Sequence, residues 1–160
     1  MTIATRPAEP RDVPRLVEFN LQLIAETEPH VADRFDRETI AKGVAAAIGD
    51  PAKGRYFVAE VAGEVVGCLM LTLEWSDWRN GDLWWIQSVY VAAEHRGQGV
   101  FRSLHRLARD AAIEAGAVGL RLYVERDNDA AMATYAKLGM VDAGYLLMEE
   151  IFGPDDVEGD

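Results

Sequence analysis

The residues best suited to chemistry cluster in Arg96-Gly-Gln-Gly-Val-Phe-Arg102, a basic, glycine-rich turn between an apolar run ending at Val91 and an amphipathic stretch. Gly97 and Gly99 can take backbone angles closed to other residues and leave no Cβ in front of the main chain. The N–H groups from Arg96 through Gln98 and Gly99 can therefore converge on one point. A helix starting near Gly99 would add the first-turn N–H groups of Val100, Phe101 and Arg102, with the positive end of its dipole. Such a turn can seat a phosphate or pyrophosphate. Two glycines before a helix also make a plain tight connection, with Arg96 a solvated charge, and the turn by itself does not separate the two accounts.

A second grouping runs from Asn128 to Gly139. Asn128 is a natural N-cap and Gly139 a natural C′ residue, while Ala131, Tyr135 and Leu138 fall on one helical stripe. Taken alone this is a capped helix with Tyr135 in a core. Glu26, Glu28, Glu74 and Asp77 are carboxylates near element ends, where they could take a proton or hold an amine; solvated surface carboxylates look the same in sequence. Trp75, Trp78, Trp84 and Trp85 surround one strand-turn-strand unit. Alternation sends Trp84 and Trp85 to opposite faces, and Trp78, in the polar turn, is the one placed to meet an acceptor or partner. An acidic, aromatic-rimmed site would suit a cationic amine. His30, His95 and His105 have no metal-ligand spacing and are expected at the surface, so no metal is expected.

These residues need elements to hold them. Ile3 to Arg6 forms a short strand ended by Pro7, and Leu16, Phe19, Leu23 and Ile24 mark a helix stopped at Pro29. Asp36 to Ile48 is a second helix. Arg55 to Val61 and Glu64 to Trp75 are strands joined at Ala62-Gly63, the second apolar on both faces and hence buried on both sides. Leu83 to Val91 completes an antiparallel meander. A helix over Gly99 to Ala115, a strand over Val118 to Glu125, a helix over Asn128 to Leu138 and a final strand over Val141 to Ile151 follow. The last strand-helix-strand order predicts a parallel pair. One domain is expected over residues 1–152, with 153–160 an acidic, disordered tail.

Composition narrows the function classes. The 160 residues carry 16 basic and 27 acidic side chains, a formal net charge of −11, which argues against nucleic acid or an anionic membrane as partner. The single cysteine, Cys68, sits in an apolar run, so a buried thiol in a reducing cytoplasm is expected. No apolar stretch reaches the ~20 residues of a membrane span, and no phosphate-binding loop of the Gly-x-x-x-x-Gly-Lys-Ser/Thr type occurs.

Four motifs in order are more specific than any one of them. The strand ending Ser88-Val-Tyr-Val91, the turn Arg96-Gly-Gln-Gly-Val100, the strand ending Val124 and the helix Asn128-x-x-Ala131-x-x-x-Tyr135-x-x-x-Gly139 resemble the GNAT family of N-acetyltransferases. The opening Arg6-Pro-Ala-x-x-x-Asp12 and the hairpin Tyr56 to Gly67 are similar to its first three strands, so the resemblance covers about residues 3 to 151. It implies an α/β (α+β) fold, a mixed, mostly antiparallel sheet splayed at the cofactor site and flanked by helices on both faces. Acetyl-CoA would be the acyl donor, with pantetheine along Val89, Tyr90 and Val91 and pyrophosphate on Arg96 to Arg102. Asn128 and Ala131 would flank the pantetheine, Tyr135 the thioester sulfur. The acceptor would be a small-molecule or peptide amine bound between the first two helices, with Glu26, Glu28, Glu74 and Trp78 as candidate contacts, and a homodimer is expected from an exposed final strand.

Two positions depart from the family pattern. Phe101 stands where a small residue is common, and is expected to turn toward the sheet with only its N–H facing phosphate. Gln87 stands where a glutamate often acts as general base, and an amide cannot accept a proton at neutral pH. Gln87 would then orient a water, and Tyr135 would be the acid for the departing thiolate. A non-catalytic acyl-CoA-binding sensor is the alternative, and a dinucleotide-binding domain a distant third, because the glycine turn follows a meander rather than opening a βαβ unit.

Overall fold

A computed structural model describes residues 1–153 and 156 of the chain. Three consecutive β-rich runs build the centre of the first of two units, Met1–Tyr123 and Val124–Asp160. They are β2 (Arg55–Val61), β3 (Glu64–Ser76) and β4 (Gly81–Val91). Ala62 and Gly63, at φ 51° and 83°, make the β2–β3 turn, the two positive values that a tight hairpin with the strand twist requires. β1 (Ile3–Pro7) joins β2 antiparallel, and β5 (Gly119–Leu122) joins β4 parallel after a helical crossover, giving the order β1-β2-β3-β4-β5.

Side-chain alternation distributes this sheet between two cores. One face carries Phe57, Leu69, Leu71, Trp84 and Ile86 against Val100, Leu104 and Ala108 of α3 (Val100–Glu114). The other carries Tyr56, Val58, Cys68 and Tyr90 against Leu16 and Phe19 of α1 (Val13–Thr27) and Val44 and Ala47 of α2 (Arg37–Gly49). Because β3 feeds both cores, its run of apolar residues is continuous rather than alternating, as expected. Burial pushes the Cys68 thiol up to about 12. Arg6, in β1, bonds both Asp12, at 2.7 Å, and Glu60 of β2, at 2.6 Å, so the opening motif ties the first strand to the start of α1. The Arg6 guanidinium holds the Asp12 carboxyl below the usual carboxylate range.

Four expectations are corrected. The strand expected over Val141 to Ile151 does not form: those residues are irregular, and Tyr145, Leu146, Met148 and Ile151 are exposed. A strand exists only where a ladder accepts it, and the second unit contributes α4 (Asp129–Lys137) but no strand among its described residues. The parallel pair falls one crossover earlier, between β4 and β5, because α3 rather than α4 returns the chain to the sheet. His105 is buried, not at the surface; four residues from Phe101 and three from Ala108, it falls inside the core stripe of α3. β5 is also shorter than the expected Val118 to Glu125. The expected tail, 153–160, lies mostly outside the described residues.

Candidate active site

β4 changes character at Gln87. Met70 of β3 faces Ser88 and Leu71 faces Ile86, so Gln87 is an extra residue, a bulge in the ladder. The parallel ladder to β5 ends at the same place: Leu83, Trp84, Trp85 and Ile86 pair with Gly119 through Leu122, and no pair follows. Beyond the bulge, β4 pairs among the described residues with β3 alone. Ala92 donates its N–H to Val66 of β3 at 2.9 Å, so by alternation Val89 and Val91 turn their main-chain groups away from β3. The Val91 carbonyl there accepts from Arg96 Nε at 2.9 Å.

The open strand runs directly into the glycine turn. Gly97 and Gly99 adopt φ 73° and 88°, in the left-handed region, and a Cβ built on either would meet nothing within 4 Å. The first backbone bond of α3 is Ser103 N–H to the Gly99 carbonyl, which leaves the N–H groups of Gly97, Gln98, Gly99 and Val100 ahead of the helical ladder. Phe101 packs against the α3-side core, as expected. Open space, main-chain donors and a helix dipole at one turn fit an anionic pyrophosphate. The Arg96 N–H itself is spent on the Ala93 carbonyl at 3.3 Å, and its guanidinium bonds both carboxylate oxygens of Glu26, at 3.0 and 2.9 Å. Glu26 also accepts from the Tyr90 hydroxyl at 3.4 Å, so it links the end of α1 to the turn. Arg102 is exposed at the first turn of α3.

On the opposite face lies a cleft of about 380 Å³ between α1, α2 and strands β2 to β4. The bulge lets the consecutive residues Gln87 and Ser88 both reach it, where a regular strand would send them to opposite faces. Thr72 Oγ1 and Gln87 Oε1 stand 3.2 Å apart, fixing the amide at the mouth. Asn20 and Tyr56 also line the cleft. Asn20 Nδ2 donates to the Leu16 carbonyl at 2.8 Å and to the Tyr56 hydroxyl at 3.3 Å. Burial raises the Tyr56 hydroxyl above its ordinary value, partly offset by that bond. Neither Asn20 nor Tyr56 stands out in the sequence; the one available signal is a polar residue four positions after Leu16 on an otherwise apolar helix face.

The carboxylates and the tryptophan singled out in the sequence lie elsewhere. Glu74 accepts from Trp85 Nε1 at 3.1 Å and Arg121 at 2.9 Å, Glu28 stands 3.6 Å from His30, and Asp77 accepts from the Trp78 N–H at 2.9 Å. Trp78 is 86% exposed. None of Glu26, Glu28, Glu74 or Trp78 lines the cleft. In the second unit, Asn128 caps α4 by accepting the Ala131 N–H at 3.1 Å, and Tyr135 is half-buried, which raises its hydroxyl pKa. Among the described residues no group of three His, Cys, Asp or Glu could hold a metal ion, and no helix is long and apolar enough to cross a membrane.

Comparison with known proteins agrees with this architecture. Residues 18–140 match the acetyltransferase (GNAT) family. The crystal structure of a possible acetyltransferase from Clostridium difficile 630 is 40% identical, with a TM-score of 0.84, covering 96% of this chain and 100% of that one. Streptothricin acetyltransferase of Streptomyces lavendulae is 33% identical over 118 residues, 73% of this chain and 60% of its own length. Mycothiol acetyltransferase of Corynebacterium aurimucosum is 32% identical over 108 residues, 66% of this chain and 36% of its own length. The chain thus spans less than two thirds of these curated relatives.

Proposed function

The chain belongs to the GNAT acetyltransferase family, and on that premise we propose that it is an N-acetyltransferase moving an acetyl group from acetyl-CoA to a primary amine of a small molecule or peptide. The observation that carries this is the unpaired edge of β4 at Val89 and Val91 leading into the donor turn Gly97 to Val100. Val89 and Val91 would hold the pantetheine arm as a neighbouring strand does. The turn and the N-terminus of α3 would hold the pyrophosphate, and Asn128 and Ala131 would contact the pantetheine as in the family. Acetyl-CoA supplies a thioester carbonyl activated toward amine attack.

The chain's own groups then do three things. A main-chain N–H at the open edge stabilises negative charge on the carbonyl oxygen. Tyr135 Oη, kept protonated by burial, supplies the proton that the departing sulfur needs. Gln87 cannot take the amine's proton, so water carries it, oriented by the Gln87 amide. The amine nitrogen gains the acetyl carbon, the carbon–sulfur bond breaks, and one proton passes overall from nitrogen to sulfur. A cytoplasmic location fits the buried Cys68 thiol; the homodimer expected from an exposed final strand loses that ground, because Val141–Ile151 forms no strand.

Thiol release with a panel of amines tests the activity. Tyr135→Phe is expected to lower kcat by about a hundredfold while acetyl-CoA affinity stays within a factor of about two. Binding of acetyl-CoA with no transfer to any amine would instead support the sensor account, which the missing glutamate at Gln87 favours.

A further inference from the structure

We propose that the cleft between α1, α2 and the sheet admits an uncharged, weakly basic amine on a compact apolar body bearing an amide, and that Gly43 sets its depth. This rests on the acetyl-transfer reading above and names the acceptor class that the reading leaves open. Among the described residues the lining holds no charged side chain: Ile40, Val44, Ala47 and Met70 make its walls. A polycation or an ammonium would lose part of its hydration against these walls with no carboxylate in return. A free amine loses far less, and an apolar wall shifts the amine's own equilibrium toward the neutral form.

That shift bears on the missing base. At pH 7 an amine with the pKa of a lysine side chain, about 10.4, is neutral in about one molecule in 2,500, whereas an α-amine near 7.8 is neutral in about one in seven. With Gln87 where a carboxylate would otherwise take the proton, a site of this kind works best on amines that arrive without it. The ammonium proton is lost to bulk water before binding, and no enzyme base is needed at that step.

The polar floor is specific. The atom of Asn20 that lies 2.8 Å from the Leu16 carbonyl must be the amide nitrogen, because a carbonyl only accepts. Asn20 Oδ1 is therefore the atom left to accept from a ligand. The Tyr56 hydroxyl oxygen receives Asn20 Nδ2 and keeps its own proton to donate. One acceptor beside one donor matches the N–H and C=O of an amide. Tyr56 is 8% exposed, so this pair is built into the core rather than mobile on the surface. Gly43 faces the cleft from α2, and a Cβ added there would meet nothing within 4 Å. A larger side chain there enters open space and improves helix propensity.

The experiment measures thiol release by the full chain with leucinamide, spermidine and the ε-amine of Nα-acetyl-lysinamide as probes. Leucinamide is expected to have a kcat/KM at least about tenfold above the others near pH 7.5, rising with pH up to the amine's own pKa and then flat. Gly43→Phe is expected to raise the leucinamide KM about tenfold or more with acetyl-CoA affinity and melting temperature retained. Tyr56→Phe, which keeps the ring and removes the donor, is expected to raise that KM about fivefold. Preference for spermidine or the lysine ε-amine, or folded Gly43→Phe and Tyr56→Phe variants with unchanged leucinamide KM, would overturn the acceptor class while leaving acetyl transfer standing. Binding of acetyl-CoA with no thiol release for any probe would overturn both.

Discussion

The two halves of β4 are made of similar residues and do different work. From Leu83 to Ile86 the strand is bonded on both sides, to β3 and β5, and buries Leu83, Trp84 and Ile86. From Gln87 to Val91 it carries a bulge, pairs among the described residues with β3 alone, and presents Gln87 and Ser88 to a cleft on one face. The first half is saturated and therefore only structural. In the second, the Val91 carbonyl is taken by Arg96, and the N–H groups of Val89 and Val91, outside the β3 ladder, are what a ligand could use. The rigid half holds the open half in place, since both belong to one strand pinned against β3.

The most severe way to break this contrast is to delete Gln87. The register on either side of the bulge is regular, so deletion leaves Ile86 and Ser88 alternating properly and the sheet intact. Circular dichroism is expected to stay native while acetyl transfer falls about a hundredfold or more, the scale of a misplaced reacting geometry. Retained activity would show that the bulge does not matter. Next in size is Gly99→Val. A branched side chain at φ 88° costs about 1–2 kcal/mol in stability and stands in front of the donor turn. Acetyl-CoA affinity by calorimetry is expected to fall about tenfold or more; an unchanged Kd would move the pyrophosphate seat elsewhere.

The smallest effect lies away from the open half, at His105 in α3. Burial, then Arg109, depresses its pKa below the usual value of about 6.5. Above that value the ring is neutral in both folded and unfolded chains and pH has no purchase on it. As pH falls below it, the unfolded chain binds the proton first, so stability drops. Urea midpoints are expected to decline between pH 7 and 5.5 in the native chain and to decline less in His105→Gln; equal slopes would show that His105 is not the group responsible.

Much of this was legible in the sequence where local chemistry decides structure. Gly97 and Gly99 marked the turn, Asn128 and Gly139 the ends of α4, and the two-faced apolar run of β3 its central position. The bulge was not legible, because it arises from the pairing of β4 with a distant strand, and nothing local distinguishes Gln87 from its neighbours. The region between the first two helices was legible as a place for a ligand, but its lining was not: the charges of Glu26 and Glu74 are spent on Arg96 and Arg121, while Asn20 and Tyr56 come together only when α1 packs on β2. Val141 to Ile151 has a strand's composition, but composition cannot supply the ladder a strand requires.

Amide hydrogen exchange along β4, with and without acetyl-CoA, tests the central claim most directly. The N–H groups of Val89 and Val91 are expected to exchange readily in the free protein and to become protected when acetyl-CoA saturates it, while protection from Leu83 to Ile86 stays as it was. Saturating acetyl-CoA that leaves Val89 and Val91 unprotected would contradict the account, since the open edge of β4 would then not be where the donor binds.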